Sequence, residues 1–255
     1  MTVSALIFDV DGTMADTEEA HRCAFNGAFA EFGLDWHWSR EAYRDLLTTA
    51  GGKERLARYV AQLTPDAAGR KRLEALIPAL HARKTRLYGE ALAGGAVVLR
   101  DGVARLIDEA GAAGCHLAIA STTTAANVDA LLASCLGRRG LDLFSVIVCG
   151  DQVRAKKPAP DVYQMALRHL GIDCRDAIAL EDSFNGLRSA SAAGIWTVVT
   201  PTYWSAGDTF TGAGMVLEHL GDAQHPIPGE PGNALQMAPW LTLAEIGMRH
   251  AATVQ

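Results

Sequence analysis

A doubly wound, Rossmann-like parallel sheet with an inserted all-helical domain is the α/β fold this sequence predicts, and three observations predict it. Short apolar runs rich in β-formers recur along the 255 residues; patterns of helical period separate most of them; and between Asp16 and Gly94 helical patterns occur with no strand among them. Runs this short and apolar fit strands buried on both faces. Strands that alternate with helices assemble into a parallel sheet, because each helix returns the chain to the same edge.

Taken in order, the first run is VSALIFDV, and it passes directly into Asp9, Asp11 and Gly12. The helical stretch follows, with amphipathic patterns in TEEAHRCAFNGAFAEFG and RKRLEALIPALHARKTRLYGEAL. At its start, DTEE allows Asp16 to cap a helix while Glu19 reciprocates three residues later, as in a capping box. At its end, LAGGAV places Gly94 and Gly95 where a flexible hinge returns the chain to the core. Strands are then expected at HLAIAS (116–121), FSVIVCG (144–150), AIALED (177–182) and IWTVVT (195–200). Helices are expected at DGVARLIDEAGAAG, AANVDALLASCLG, APDVYQMALRHLG and FNGLRSASAAG, most of them closed by a glycine that suits a helix C-terminus. Beyond VVTPTY, the segment GDAQHPIPGEPGN (221–233) reads as a long surface loop before a last amphipathic piece, LTLAEIGMRHA. The expected division is a catalytic core of residues 1–15 and 95–255 and a helical cap of residues 16–94.

Composition narrows the function. At 49% hydrophobic and 20% charged the chain is that of an ordinary globular protein. A net charge of −6 leaves no electrostatic footprint for nucleic acid or an anionic membrane, so an anionic small molecule must be met by a few local cations. Five dispersed cysteines, none in a C-x-x-C pair, argue against a disulfide framework or a thiolate zinc site. No apolar run approaches the roughly 18 residues of a membrane span, and Asp9 interrupts the N-terminal run before it resembles a signal segment. A cytoplasmic monomer is the expectation.

In open α/β sheets the ligand lies beyond the carboxyl ends of the strands. Here the first run delivers Asp9 and Asp11, the second Ser121, the fourth Glu181 and Asp182, and the loop after the third Lys157, just before Pro158. Carboxylates that converge repel one another unless a cation joins them, and hard oxygen ligands suit Mg²⁺. A lone D-x-D would fit a solvated turn equally well.

DVDGT (9–13), Ser121, KKP (156–158) and EDS (181–183), in this order and at these strand ends, resemble the haloacid dehalogenase superfamily. The resemblance implies that Asp9 attacks phosphorus to form an aspartyl-phosphate, needing no partner base because a carboxylate is already ionised. Asp11 is implied as the acid that protonates the departing oxygen and the base that then activates water. Mg²⁺ is implied to be held by Asp9, the Asp11 carbonyl, Asp182 and Glu181, the last directly or through water. Ser121, with Thr122 and Thr123 at a helix start, is implied to hold the phosphoryl oxygens, and Lys157 rather than Lys156 to brace nucleophile and phosphate. Gly12 lets the chain leave the strand sharply.

An insertion directly after DVDGT matches the superfamily's helical cap, so specificity is expected there. Its passage LLTTAGGKERL (46–56) reads equally as a loop that binds a second phosphate or as a plain helix–loop–helix turn. Together with DVDGTMADTEEAHRCAFN, DWHW, KKPAPDVY and LEDSFNGLRSA, however, it is similar to the CbbY-type sugar phosphatases. Those enzymes accompany ribulose-bisphosphate carboxylase in the Calvin cycle. The resemblance implies hydrolysis of xylulose 1,5-bisphosphate to xylulose 5-phosphate, with contacts from Glu18, His21, Tyr43, Thr48, Gly51, Gly52, Lys53, Glu54 and Arg55. Two features depart from the pattern: Asp16 stands where a glutamate is expected, and the ending from Tyr203 onward is longer and richer in Gly and Pro.

Three other readings share these motifs. A β-phosphoglucomutase-like phosphomutase would carry a lysine after Ser121, where this chain has TTTAAN. A broad phosphatase of small phosphosugars would use the same core with a less selective cap. A non-catalytic phosphosugar sensor would have little need of Asp11 beside Asp9.

Overall fold

Residues 3–63, 66–227 and 235–253 are described by the computed structural model. Six parallel strands form its sheet: β1 (Ala5–Phe8), β2 (His116–Ala120), β3 (Val146–Val148), β4 (Ala177–Glu181), β5 (Trp196–Val199) and β6 (Met215–Val216), in the order β3-β2-β1-β4-β5-β6. Strand β1 lies between β2 and β4, with Phe8 in register with both Ile119 and Leu180. From β1 the chain winds first toward β3 and then, through β4, toward β6. That reversal opens a crevice beyond the end of β1, which is where such sheets take their ligands.

Alternation along β1 explains why it is apolar throughout. Leu6 and Phe8 pack on one face with α6 (Val103–Ala112), α7 (Ala125–Leu136) and α10 (Leu243–Thr253), while Ala5 and Ile7 pack on the other with α8 (Asp161–Leu170) and α9 (Phe184–Ala192). Each large aliphatic or aromatic side chain buried this way contributes roughly 1.5–3 kcal/mol. The five expected strands and four core helices all form. Strand β6 was not legible, having two residues at an edge, and Gly214 before it lies where any side chain would collide with the Trp196 indole.

Between β1 and α6 the described residues form five helices: α1 (Glu18–Glu31), α2 (Arg40–Leu46), α3 (Gly52–Leu63), α4 (Ala67–Glu74) and α5 (Ile77–Ala93). They hold a core of their own, built on Phe25, Phe29, Trp38, Tyr43, Leu56 and Leu80. Two local expectations fail here. The capping box does not form: Thr17 occupies the N-cap without a side-chain cap, Asp16 is exposed, and Glu19 instead pairs with Arg22 at 2.6 Å. The pattern over 70–92 is two helices, because Pro78 sits in the first turn of α5, where its missing N–H is tolerated, and could not continue α4.

The 221–233 segment is partly outside the described residues. In the part that is described, Ile227 is buried rather than exposed, and Arg105 fastens the segment by donating to the carbonyls of Gly221 and Leu241 at 2.9 and 2.6 Å. No helix among the described residues is long and apolar enough to cross a membrane.

Candidate active site

The crevice is built from the turn after β1. Asp9 continues the ladder, its N–H donating to Leu180 O at 2.9 Å, and the chain then turns at Gly12 with φ +86°. That conformation, and a Cβ that would collide with the Asp182 carboxylate, require glycine. Arg100 fastens the turn from behind by donating to Gly12 O at 2.5 Å.

Lys157 Nζ donates to Asp9 Oδ1 at 2.6 Å and to Glu181 Oε1 at 2.5 Å, and the Tyr163 hydroxyl reaches the same Glu181 oxygen at 2.5 Å. Lys156 instead extends away, to Glu54 on α3, at 2.7 and 2.8 Å. One carboxylate oxygen from each of Asp9, Glu181 and Asp182 lies within 4.8 Å of the others. Burial, aided by Glu181, pushes the Asp9 carboxyl up to about 7 against the pull of Lys157, and burial beside Asp9 and Glu181 raises Asp182 well above the carboxylate range. One lysine does not balance three buried carboxylates, and Glu181 Oε2 is buried without a partner. A divalent cation with hard oxygen ligands fits this donor set.

Asp11 is not part of that cluster. Its Oδ1 accepts from the Thr17 hydroxyl at 2.6 Å and lies 2.9 Å from His21 Nε2, while His21 Nδ1 lies 2.6 Å from Lys84 Nζ. Asp11, held as a carboxylate, only accepts, so Nε2–H points at it and Nδ1 accepts from Lys84. Burial alone would raise the Asp11 carboxyl, but His21 and its hydrogen bond, then Thr17 and Lys84, hold it well below the usual range. Burial lowers Lys84 to about 7. The sequence reading missed Lys84 and Thr17. The signal for Lys84 was a single cation on the apolar stripe Leu80–Lys84–Tyr88 of α5.

A cavity of about 970 Å³ joins this centre to the inserted helices. Asp9, Asp11, Glu18, His21, Thr48, Gly51, Gly52, Lys53, Glu54, Arg55, Ser121, Thr122, Thr123, Lys157 and Asp182 all line it. Gly12, Tyr43 and Glu181 do not; they stand behind the wall. Tyr43 is fully buried, donating to Glu18 Oε2 at 2.7 Å and accepting from Arg55 at 2.9 Å, so it organises two lining residues. Gly51 begins the α3 approach at φ +93°, with its Cβ position against Glu54 and Lys156. The Thr48 hydroxyl turns to Asp45 O and Arg58, and its carbonyl accepts from Asn185 at 3.2 Å. Ser121 Oγ accepts the Thr123 N–H at 3.2 Å, one turn before α7. Burial, and then the charges of Lys84, Lys53 and Lys156, drive His81 down to about 4, so three lysines from separate elements converge beside it.

The chain matches the haloacid dehalogenase-like hydrolase family over residues 6–200. It is 53% identical over 253 residues to protein CbbY (plasmid) of Cupriavidus necator, covering 99% of this chain and 98% of that one. That match runs through the long ending, which this relative therefore shares. Among solved structures, CbbY from Rhodobacter sphaeroides in complex with phosphate is 45% identical with a TM-score of 0.79, covering 86% of this chain and 95% of that one. A mutant of that protein in complex with xylulose 1,5-bisphosphate gives 45% identity and a TM-score of 0.80 over the same shares.

Proposed function

The chain belongs to the haloacid dehalogenase-like hydrolases, and we propose that within them it is a Mg²⁺-dependent sugar phosphatase that converts xylulose 1,5-bisphosphate to xylulose 5-phosphate and phosphate. The observation that carries the reading is the single cavity joining the Asp9 centre to Lys53 and Arg55 on α3, which offers separate cations to two anionic ends of one small molecule. The xylulose bisphosphate complex of the similar Rhodobacter protein supports the choice of substrate.

In this reading Asp9 attacks phosphorus. The Asp9–oxygen–phosphorus bond forms as the bond to the sugar oxygen breaks, and Asp11 delivers the proton to that oxygen. Asp11 is a base in the free enzyme and becomes an acid when the phosphate's negative charge lies against it. Water then attacks the aspartyl-phosphate, giving its proton to Asp11, and Asp9 is released. Lys157 holds Asp9 in place, and Ser121 with the Thr122 and Thr123 backbone receives the phosphoryl oxygens. Asp9, Glu181 and Asp182, with the Asp11 carbonyl, would hold Mg²⁺, which when bound offsets repulsion between the carboxylate and the phosphate. The inserted helices would act as a cap over the site, in a cytoplasmic monomer, a setting that five free cysteines suit.

The test is phosphate release from xylulose 1,5-bisphosphate, ribulose 1,5-bisphosphate, β-glucose 1-phosphate and p-nitrophenyl phosphate, each with Mg²⁺ and with EDTA. A strong preference for the xylulose bisphosphate, lost with EDTA and in Asp9→Asn, is the expected result. Flat activity across the panel would leave a broad phosphatase and remove the substrate assignment; phosphoryl transfer to a sugar hydroxyl in place of release would point to the mutase.

A further inference from the structure

After β5 the chain leaves the crevice and enters the core of the inserted helices. It does so on a tight turn: the Trp204 N–H donates to Thr202 Oγ1 at 3.2 Å, the Ser205 N–H to Thr202 O at 3.2 Å, and the Thr202 N–H to Ser205 Oγ at 3.0 Å. The turn delivers Trp204, 5% exposed, into the cluster of Phe25, Trp38 and Tyr43. Among the described residues it is the one member of that cluster from outside the inserted segment. Its ring meets Tyr43 edge-on, with centroids 5.6 Å apart and planes at 88°. The Arg40 guanidinium of α2 lies 4.5 Å from the Tyr203 ring and 5.2 Å from the Trp204 ring. At the other end of the turn, the Asp208 carboxylate accepts from the N–H of Phe184, two residues beyond Asp182, at 3.4 Å.

One short segment therefore touches both the carboxylate loop and the ring whose hydroxyl joins Glu18 to Arg55. The inserted helices are tied to the core covalently only by their two connections, so non-covalent contacts must fix how they sit over the crevice. Ala24, Tyr88 and Leu92 join the core cluster with α7 on one side, whereas two further contacts, Lys156 with Glu54 and Asn185 with Thr48 O, are solvent-screened polar pairs that hold little. The indole is buried, and an edge-on aromatic contact is directional as well as attractive.

We propose that Trp204 is a positioning residue that sets substrate selectivity: by seating Tyr43 from the core side, it holds Glu18 and Arg55 on the wall of the cavity that the inserted helices form. The identity of the substrate rests on the function proposed above; the positioning role does not. A ring lost from this position lets Tyr43 withdraw, and its two charged partners lose their common anchor. The attack by Asp9 depends on this arrangement less than recognition of the second anionic group does.

The experiment compares wild type with Trp204→Ala, Trp204→Phe and Arg40→Gln. It reads kcat and KM on xylulose 1,5-bisphosphate and p-nitrophenyl phosphate, and amide hydrogen exchange without substrate. For Trp204→Ala, kcat/KM on the bisphosphate is expected to fall about ten-fold further than on p-nitrophenyl phosphate, chiefly through KM, with faster exchange across Arg40–Leu46 than in β1 or β4. Trp204→Phe restores most of both, and Arg40→Gln shows a smaller change of the same kind. Equal losses on the two substrates overturn the proposal, as does faster exchange with an unchanged substrate ratio, which leaves Trp204 as packing alone. If Trp204→Ala does not fold, Arg40→Gln decides by the same ratio, and an unchanged ratio in that variant overturns the proposal. If wild type itself shows no preference for xylulose 1,5-bisphosphate, the substrate assignment fails, and the Trp204 proposal is decided by the same ratio read between ribulose 1,5-bisphosphate and p-nitrophenyl phosphate.

Discussion

Lys84 Nζ lies 2.6 Å from His21 Nδ1, and across the same imidazole Nε2 lies 2.9 Å from Asp11 Oδ1. A buried lysine on α5 thus orients a histidine on α1, and the histidine aims its proton at the carboxylate that in the proposed reaction exchanges one with the substrate. The His21 ring is also stacked on Tyr88, centroids 3.9 Å apart, which fixes its plane.

Lys84→Met should therefore lower kcat by about 10–100-fold with a smaller change in KM, because the orientation of a general acid is lost while most binding contacts remain. Stability carries a second signature. The folded-state value of Lys84 is lowered from 10.5 to about 7, so between those values the unfolded chain binds the extra proton and wild-type stability rises with pH. Urea titrations from pH 7 to 10 should show that rise in wild type and its loss in Lys84→Met; parallel curves for the two proteins would sink this account.

The Asp9 carboxyl is displaced in the opposite sense. Raised from 3.8 to about 7, it binds a proton in the folded state that the unfolded chain has released, so stability contributed by its protonated form is lost as pH climbs through that window. Metal-free wild type should melt at lower temperature at pH 7.5 than at pH 5.5, and Mg²⁺ should recover the difference. Asp9→Asn should abolish turnover, by about 10³-fold or more, while raising the metal-free melting temperature at pH 7.5 and blunting the response to Mg²⁺. Scanning fluorimetry with MgCl₂ and with EDTA reads each of these.

Much of this arrangement was legible because it follows from strand ends. Asp9, Ser121 and Glu181 each stand at the carboxyl end of an apolar run, and parallel pairing of β1 with β2 and β4 was enough to bring them together. What was not legible depends on tertiary placement. Lys84 is 63 residues from His21, and its place on the apolar stripe of α5 marks it as buried without saying which group it meets. Tyr43 carries no mark of standing behind the wall instead of on it. Trp204 lies in an ending that the sequence marks only by its length and its Gly and Pro content. The capping box failed for a local reason: the Thr17 hydroxyl is drawn to Asp11, and Glu19 has Arg22 three residues away.

Arg55 tests the wall of the cavity that the inserted helices form. The residue is 8% exposed, and its guanidinium donates to the Tyr43 hydroxyl and lies 5.1 Å from that ring, so it is held in one orientation before any ligand arrives. Arg55→Lys keeps the charge but loses the planar fork, and should raise KM for a sugar bisphosphate about ten-fold, with Arg55→Ala costing more. Activity on p-nitrophenyl phosphate should suffer less in both. Equal effects on the two substrates would mean that Arg55 serves the fold of α3 and not recognition.

Arg100 lies on the opposite side of the Gly12 turn. Its two terminal nitrogens donate to the carbonyls of Gly12, Thr200, Pro201 and Glu218 at 2.5 to 3.1 Å, joining the turn after β1 to the end of β5 and to the chain beyond β6. Burial lowers its guanidinium below the ordinary value, with Asp182 the largest opposing charge, so it adds positive potential beneath the carboxylate cluster without pairing closely to any member. Arg100→Met would leave the part-buried carbonyls of Gly12, Thr200 and Pro201 without this donor, a loss of about 1–3 kcal/mol. The same change removes a charge that offsets Asp182. Urea denaturation should show the loss of stability, and the metal-free protein should show a steeper loss between pH 5.5 and 7.5 than wild type. A destabilisation that does not vary with pH would assign Arg100 to backbone anchoring alone.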